Sequence, residues 1–173
     1  MNNTYNLDEI VRARSKGISF DLVRDDLRMV LPNFPEDVLY QWVYWHNTQF
    51  IDENSFIGLE KFHFEKVNVD CEWISSVRDE NLEILDYWGR DFIKGNRNKT
   101  WLGRYIYENK TWPNPIVVLD VKNSLISHEM IGRKHIVGDR FLLEGHLRLA
   151  YVRALIEKSI AAKTHDVWKV IIG

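Results

Sequence analysis

Residues 141–156 read FLLEGHLRLAYVRALI, and the change of pattern inside them decides the fold. Phe141, Leu142 and Leu143 form an apolar run of strand type, Glu144-Gly145-His146 interrupts it, and apolar residues then recur at helical spacing. A strand is therefore predicted to hand over to a helix at Gly145. At such a junction the first helical N–H groups lack intrahelical partners and point outward with the positive end of the helix dipole, which is an anion site by construction. Gly145 can take a positive φ or let a ligand approach the backbone closely. Arg148, one turn in, carries a planar fork matched to phosphate or carboxylate oxygens. His146 can bond a ligand or carry a proton near neutral pH. Glu144, beside the glycine, is a candidate base or a holder of Mg²⁺ on nucleotide phosphates. The competing reading of the same residues is a plain structural corner, since every strand-to-helix corner exposes free amides.

The pattern on either side is mixed. Upstream, residues 7–16 look helical and stop at Gly17, and Ser19 is placed to cap FDLVRDDLRMVL (20–31), which Pro32-Asn33-Phe34-Pro35 ends. Glu36-Asp37 open a third helical stretch through VLYQWVYWHNTQF. Trp42 and Trp45 there share one helical side and Tyr40 and Tyr44 another, so one stripe is available for a protein partner. The stretch KFHFEKVNVDCEWISSV (61–77) reads as strand, from the near period of two in Phe62, Phe64, Val67 and Val69. Helical character returns in DENLEILDYWGRDFI (79–93) and NKTWLGRYIYEN (98–109). In the latter, Trp101 and Tyr105 flanked by Lys99, Arg104 and Lys110 are candidates to stack and hold single-stranded nucleic acid. Ile116 to Leu119 make a buried β-branched strand after the Pro113/Pro115 turn, and HDVWKVII (165–172) makes a closing one. Strand, long connection, strand, helix, strand is the order of an α+β fold: a small mixed sheet packed with helices, preceded by a helical region.

Composition narrows the class. A chain of 173 residues, 45% hydrophobic and with seven Trp, can bury a proper core as one domain or a domain with a smaller attachment. The single cysteine, Cys71, excludes an internal disulfide framework and a thiolate-rich zinc site. His128, His135 and His165 with Asp166 lack the short paired spacing of a metal motif, so no metal site is expected. No leader-like start and no run near the roughly 18 apolar residues of a membrane span is visible, so the expectation is a cytoplasmic protein that does not engage a membrane. Net charge is −2, but residues 121–173 carry nine Lys/Arg against five Asp/Glu, net +4. The basic bias falls on the segment that contains Gly145.

The stretches PNPIVVLD (113–120), RFLLEGHLRLAYVRALIEK (140–158) and HDVWKVII together resemble the ParB/sulfiredoxin superfamily. Its members pair a strand with a polar-Pro-apolar start, here Asn114-Pro115-Ile116, with a strand ending in a Gly-x-x-Arg corner, here Gly145 to Arg148, before an Ala/Leu-rich helix and a closing strand. The likeness covers about residues 66–173, leaving 1–65 as a helical N-terminal subdomain. It implies a pocket between the Asn114-Pro115 turn and Gly145, used by relatives such as CTP-binding partition proteins, ATP-using sulfiredoxins, a kinase and proposed nucleases. It further implies Asn114, Gly145, His146 and Arg148 on the phosphates of a nucleoside triphosphate with Mg²⁺, or of nucleic acid. Two departures stand out. His146 replaces the catalytic cysteine that sulfiredoxins place after the glycine, which excludes sulfinic acid repair. Where partition proteins place Glu and two arginines, this chain has His146, Leu147 and Arg148.

Two functions from different classes follow. The first is a phosphate-binding protein, of phosphotransferase or nuclease type if it is an enzyme, with Glu144 or His146 assisting chemistry. The second is a noncatalytic interaction module of immunity or antitoxin type that meets its partner through the aromatic N-terminal helices.

Overall fold

The computed structural model describes residues 7, 10, 12–54, 58–126 and 135–173. The chain is α+β, and among the described residues it has seven α-helices and an open, mixed four-stranded sheet. It divides into two compact units, Met1–Phe64 with Leu125–His135 and Ile171–Gly173, and Glu65–Ser124 with Ile136–Val170. The sequence reading drew its boundary at 65/66 from the change of pattern and the extent of the resemblance, whereas the first unit also takes in two later segments that this reading had assigned to the second.

In the first unit, α1 (Phe20–Val30) buries Val23 and Leu27. Ser19 occupies the N-cap position in extended conformation, yet its side chain makes no capping bond. Gly17 does what was expected of it, turning left-handed at φ 73° with its N–H on the Arg14 carbonyl. The third helical stretch is not one α-helix. It runs as α2 (Glu36–Val38), continues as a π-helix over Leu39–Tyr44, and resumes as α3 (Thr48–Asn54) after Asn47 at φ 57°. A π-helix bonds i to i+5, so positions three apart no longer share a face. Trp42 is accordingly buried while Trp45 is 44% exposed beneath the Arg14 guanidinium, 4.0 Å from its ring. The predicted Trp42/Trp45 stripe is thereby split. Phe34 packs on Trp42, Phe50, Phe62 and Phe64 at centroid distances of 4.7–6.5 Å, and the Asn33 amide ties the chain there by donating to the Leu59 and Phe62 carbonyls.

The strands are β1 (Phe62–Asp70), β2 (Ile116–Asp120), β3 (Arg140–Glu144) and β4 (Thr164–Ile172), in the order β1-β4-β2-β3. β2 runs antiparallel to β3 and parallel to β4. Ile116 to Leu119 are fully buried, as a continuous β-branched run demands of a central strand covered on both faces. Residues 71–76, read with the preceding strand, instead form α4 (Cys71–Ser76), capped by the Asp70 carboxylate accepting from the Trp73 N–H. The chain then touches the outer edge of β3: Arg78 N–H donates to Arg140 O and Leu142 N–H to Arg78 O, each at 2.8 Å. That short bridge satisfies edge groups that would otherwise be left open.

α5 (Leu82–Ile93), α6 (Trp101–Asn109) and α7 (His146–Glu157) pack around the sheet. α7 is buried on most sides, with Leu149, Val152 and Leu155 at 0% exposure. It meets α5 closely because position 89 is glycine, where a Cβ would lie 2.9 Å from the Ala150 carbonyl oxygen. Next to that contact Tyr151 stacks on Phe92, 4.5 Å apart and 10° from parallel.

Candidate functional site

The strand-to-helix corner forms where it was predicted, and all its residues belong to the second unit. β3 ends at Glu144, Gly145 takes φ 106° and ψ 31°, and α7 starts at His146. The first helical bond runs from Leu149 N–H to Gly145 O at 2.8 Å, and no side chain caps the helix. The amides of His146 and Leu147 thus precede the hydrogen-bond ladder, with the helix dipole behind them.

Arg148 does not present the free fork that the sequence suggested. Its guanidinium donates to the carbonyls of Asn114 (3.0 Å) and Pro115 (3.2 Å) and to Glu144 Oε1 (3.0 Å), and the Glu144 and Arg148 side chains are only 12% and 9% exposed. A buried guanidinium must satisfy its donors, and the nearest acceptors are these backbone oxygens and the carboxylate four residues earlier on the same side of the chain. Ile116 closes the remaining space, its Cγ2 lying 2.6 Å from where a Gly145 Cβ would be. The volume that the resemblance assigns to a phosphate, between the Asn114-Pro115 turn and Gly145, is therefore filled by Arg148 and Ile116. Asn114 contributes its carbonyl to the corner, and Glu144 is engaged by Arg148. Neither the phosphate clamp expected of Arg148 nor the open carboxylate expected of Glu144 is present in this arrangement.

His146 fares differently. Its side chain is one-third exposed, and Nε2 lies 3.1 Å from Oδ2 of Asp79, which is 4% exposed. Asp79 also accepts the Asn81 N–H on Oδ1 at 2.8 Å. A carboxylate only accepts, so Nε2 carries the proton and Nδ1 is the atom left to meet a ligand. Asp79 was not singled out from the sequence. It lies 67 positions from His146, and it is brought there by the Arg78 bridge to β3. The only local signal was a carboxylate in a short polar segment, which is common.

The other sequence candidates disperse. His128 lies outside the described residues, and His135 is exposed. His165 is a core residue, 1% exposed, with Nδ1 2.8 Å from the Thr111 hydroxyl and its ring 5.0 Å from that of Trp112. Among the described residues no group of three or more His, Cys, Asp or Glu is placed to hold a metal ion. Cys71 opens α4 with its thiol donating to the Ala162 carbonyl at 3.2 Å. On α6, Trp101 is exposed and tilted toward Tyr105, while Lys110 turns back onto the Tyr107 ring and carbonyl. No helix among the described residues is long and apolar enough to cross a membrane.

Burial lowers the His165 pKa from 6.5, outweighing a backbone hydrogen bond with Ala162 that raises it. The unfolded chain then binds the proton more readily than the native one, so stability is fully present above about pH 6.5 and is lost as pH falls below it. Melting temperature measured from pH 8 down to pH 5 should fall more steeply for the parent than for His165→Gln. Parallel curves would remove His165 as the cause.

No protein-family model, curated protein or solved structure matches this chain.

Proposed function

We propose that the chain is a ParB/sulfiredoxin-like protein that binds the phosphate of a nucleotide or nucleic acid at the open start of α7. The reading rests on one observation above all: an uncapped helix N-terminus beside a partly exposed imidazole whose Nε2 is held by a buried carboxylate. The amides of His146 and Leu147 meet the phosphate oxygens, and His146 Nδ1 accepts from a ligand hydroxyl or, when protonated, donates to the phosphate. Asp79 is the positioning residue that holds the ring. Arg148 and Glu144 support the corner from behind rather than touching the ligand, and Asn114 does so through its carbonyl. Glu144 is not disposed to hold Mg²⁺, so any Mg²⁺ arrives with the nucleotide's own phosphates, and no catalytic step is assigned.

ATP, CTP, inorganic phosphate and a short single-stranded DNA, each titrated with and without Mg²⁺ into labelled protein, test this through the amide signals of residues 145–148. One of the phosphate ligands should shift them, and His146→Ala should weaken that binding about tenfold. Asp79→Asn should weaken it less. Silence of these amides toward every probe would overturn the proposal.

A second reading has its own support. On α1, Leu22 is 75% and Met29 62% exposed, seven positions apart on one helical side, in the same unit as the exposed Trp45. These residues suit a protein-interaction module, and a partner that protects them from solvent exchange while α7 stays unchanged would favour it.

A further inference from the structure

At the opposite end of β2 and β3 from Gly145, the second unit holds a cavity of about 380 Å³ lined by Trp73, Asp120, Lys122, Asn123, Asp139 and Arg140, with Lys169 beside them. That volume sits at the small end of the range for small-molecule sites, about 300–1,000 Å³. Register places the charges. Asp120 pairs with Arg140 across β2/β3 and Val118 with Lys169 across β2/β4, and positions 118 and 120 point the same way, so all three charged side chains leave one face of the sheet.

Most of these groups already have partners. Arg140 donates to the Ser76 hydroxyl at 2.6 Å and lies 5.0 Å over the Trp73 ring. Lys169 pairs with Glu65 at 2.6 Å, and Asp120 accepts from the backbone and side chain of Asn123. Lys122 and Asp139 remain. Their strand ends are joined by the Val121 N–H to Asp139 O bond at 2.9 Å, yet among the described residues neither charged group has an ion pair or a side-chain hydrogen bond, with each other or with anything else. Both residues are exposed, and one unpaired cation and one unpaired anion thus line the same small, solvent-open cavity.

From this we infer that the cavity binds a small zwitterion, with its carboxylate on Lys122 and its ammonium on Asp139. A simple anion would bring its charge against Asp139 and a simple cation would bring its charge against Lys122. Only a ligand carrying both signs pairs each group with its opposite charge. The inference is independent of phosphate binding at α7, because the two sites share no residue.

The probes are glycine, β-alanine, γ-aminobutyrate and 5-aminovalerate, which space the two charges progressively, with propionate, propylamine and N-acetylglycine as single-charge or uncharged-end controls. Binding is followed at the amides of Lys122, Asn123 and Asp139. At least one zwitterion should bind at millimolar concentration or tighter and the controls about tenfold or more weaker. Lys122→Ala and Asp139→Asn should each reduce the binding by a similar factor without moving the melting temperature. Controls that bind as well as the zwitterions, variants that bind undiminished, or no response to any of the four zwitterions would each overturn the inference.

Discussion

Arg148→Ala is expected to lower the unfolding free energy by about 3–5 kcal/mol, the range found when one partner of a buried ion pair is removed. The reason is what stays behind. The substitution strands the Glu144 carboxylate in a corner where it is 12% exposed and leaves the Asn114 and Pro115 carbonyls without the guanidinium that bonds them. Removing both charges together, as Glu144→Gln with Arg148→Met, should recover the part of the loss that comes from the stranded carboxylate, because no buried charge is then left unpaired, while the Asn114 and Pro115 carbonyls still lack their donor. Urea unfolding of the parent, the single and the double variants measures this. A loss below about 1 kcal/mol would be the value of a solvated surface pair, and it would return Arg148 to the role of an accessible anion clamp.

Gly145→Ala is the second large effect, expected at about 2–4 kcal/mol from two sources. A side chain at φ 106° is strained whatever surrounds it, at a cost of about 1–3 kcal/mol. The new Cβ would also stand 2.6 Å from Ile116 Cγ2, and Ile116 is a fully buried residue of the central strand with no room to retreat, which adds an overpacking cost of about 1–3 kcal/mol. The two costs overlap, since any backbone shift that eases one also eases the other. Chemical denaturation again gives the number, and amide spectra show whether residues 144–148 move. An unchanged stability would mean that the corner relaxes freely to negative φ, and the packing of Ile116 against it would then have to be loose.

Both effects concern residues of the corner that the sequence marked; Gly145 takes the positive φ expected of it, and Arg148 meets backbone carbonyls and Glu144. Gly145 and Arg148 stand out because a strand period stops and a helix period begins between them, and that signal lies within sixteen consecutive residues. What Arg148 bonds is not local: Asn114 and Pro115 are 34 and 33 positions away, and a guanidinium facing phosphate and one facing two carbonyls have the same sequence. Asp79 is the converse case. Nothing in RDEN at 78–81 distinguishes it from any polar turn, and it becomes relevant to His146 only through the backbone bridge between Arg78 and β3.

The same division runs through the fold. The buried strand at Ile116–Leu119 was legible from its β-branched run, and the helices at 82–93 and 101–109 from their spacing. Misreadings fell where two local preferences compete. CEWISS follows an alternating strand and carries no period of its own, so only the Asp70 cap, three residues before Trp73, announces α4. VLYQWVYW reads as an α-helix, yet it winds as a π-helix over Leu39–Tyr44 with Trp42 in the ring cluster of Phe34 and Phe50.

Periodicity, caps and glycine positions are properties of neighbouring residues, so the order of strands and helices, the corner at Gly145 and the central strand can be read directly from the chain. Which acceptor each buried donor finds depends on atoms that are distant in sequence and adjacent only after folding. For that reason the closing of the corner by Arg148 and Ile116, the pairing of His146 with Asp79, and the unpaired Lys122 and Asp139 around their cavity were settled by the tertiary structure alone.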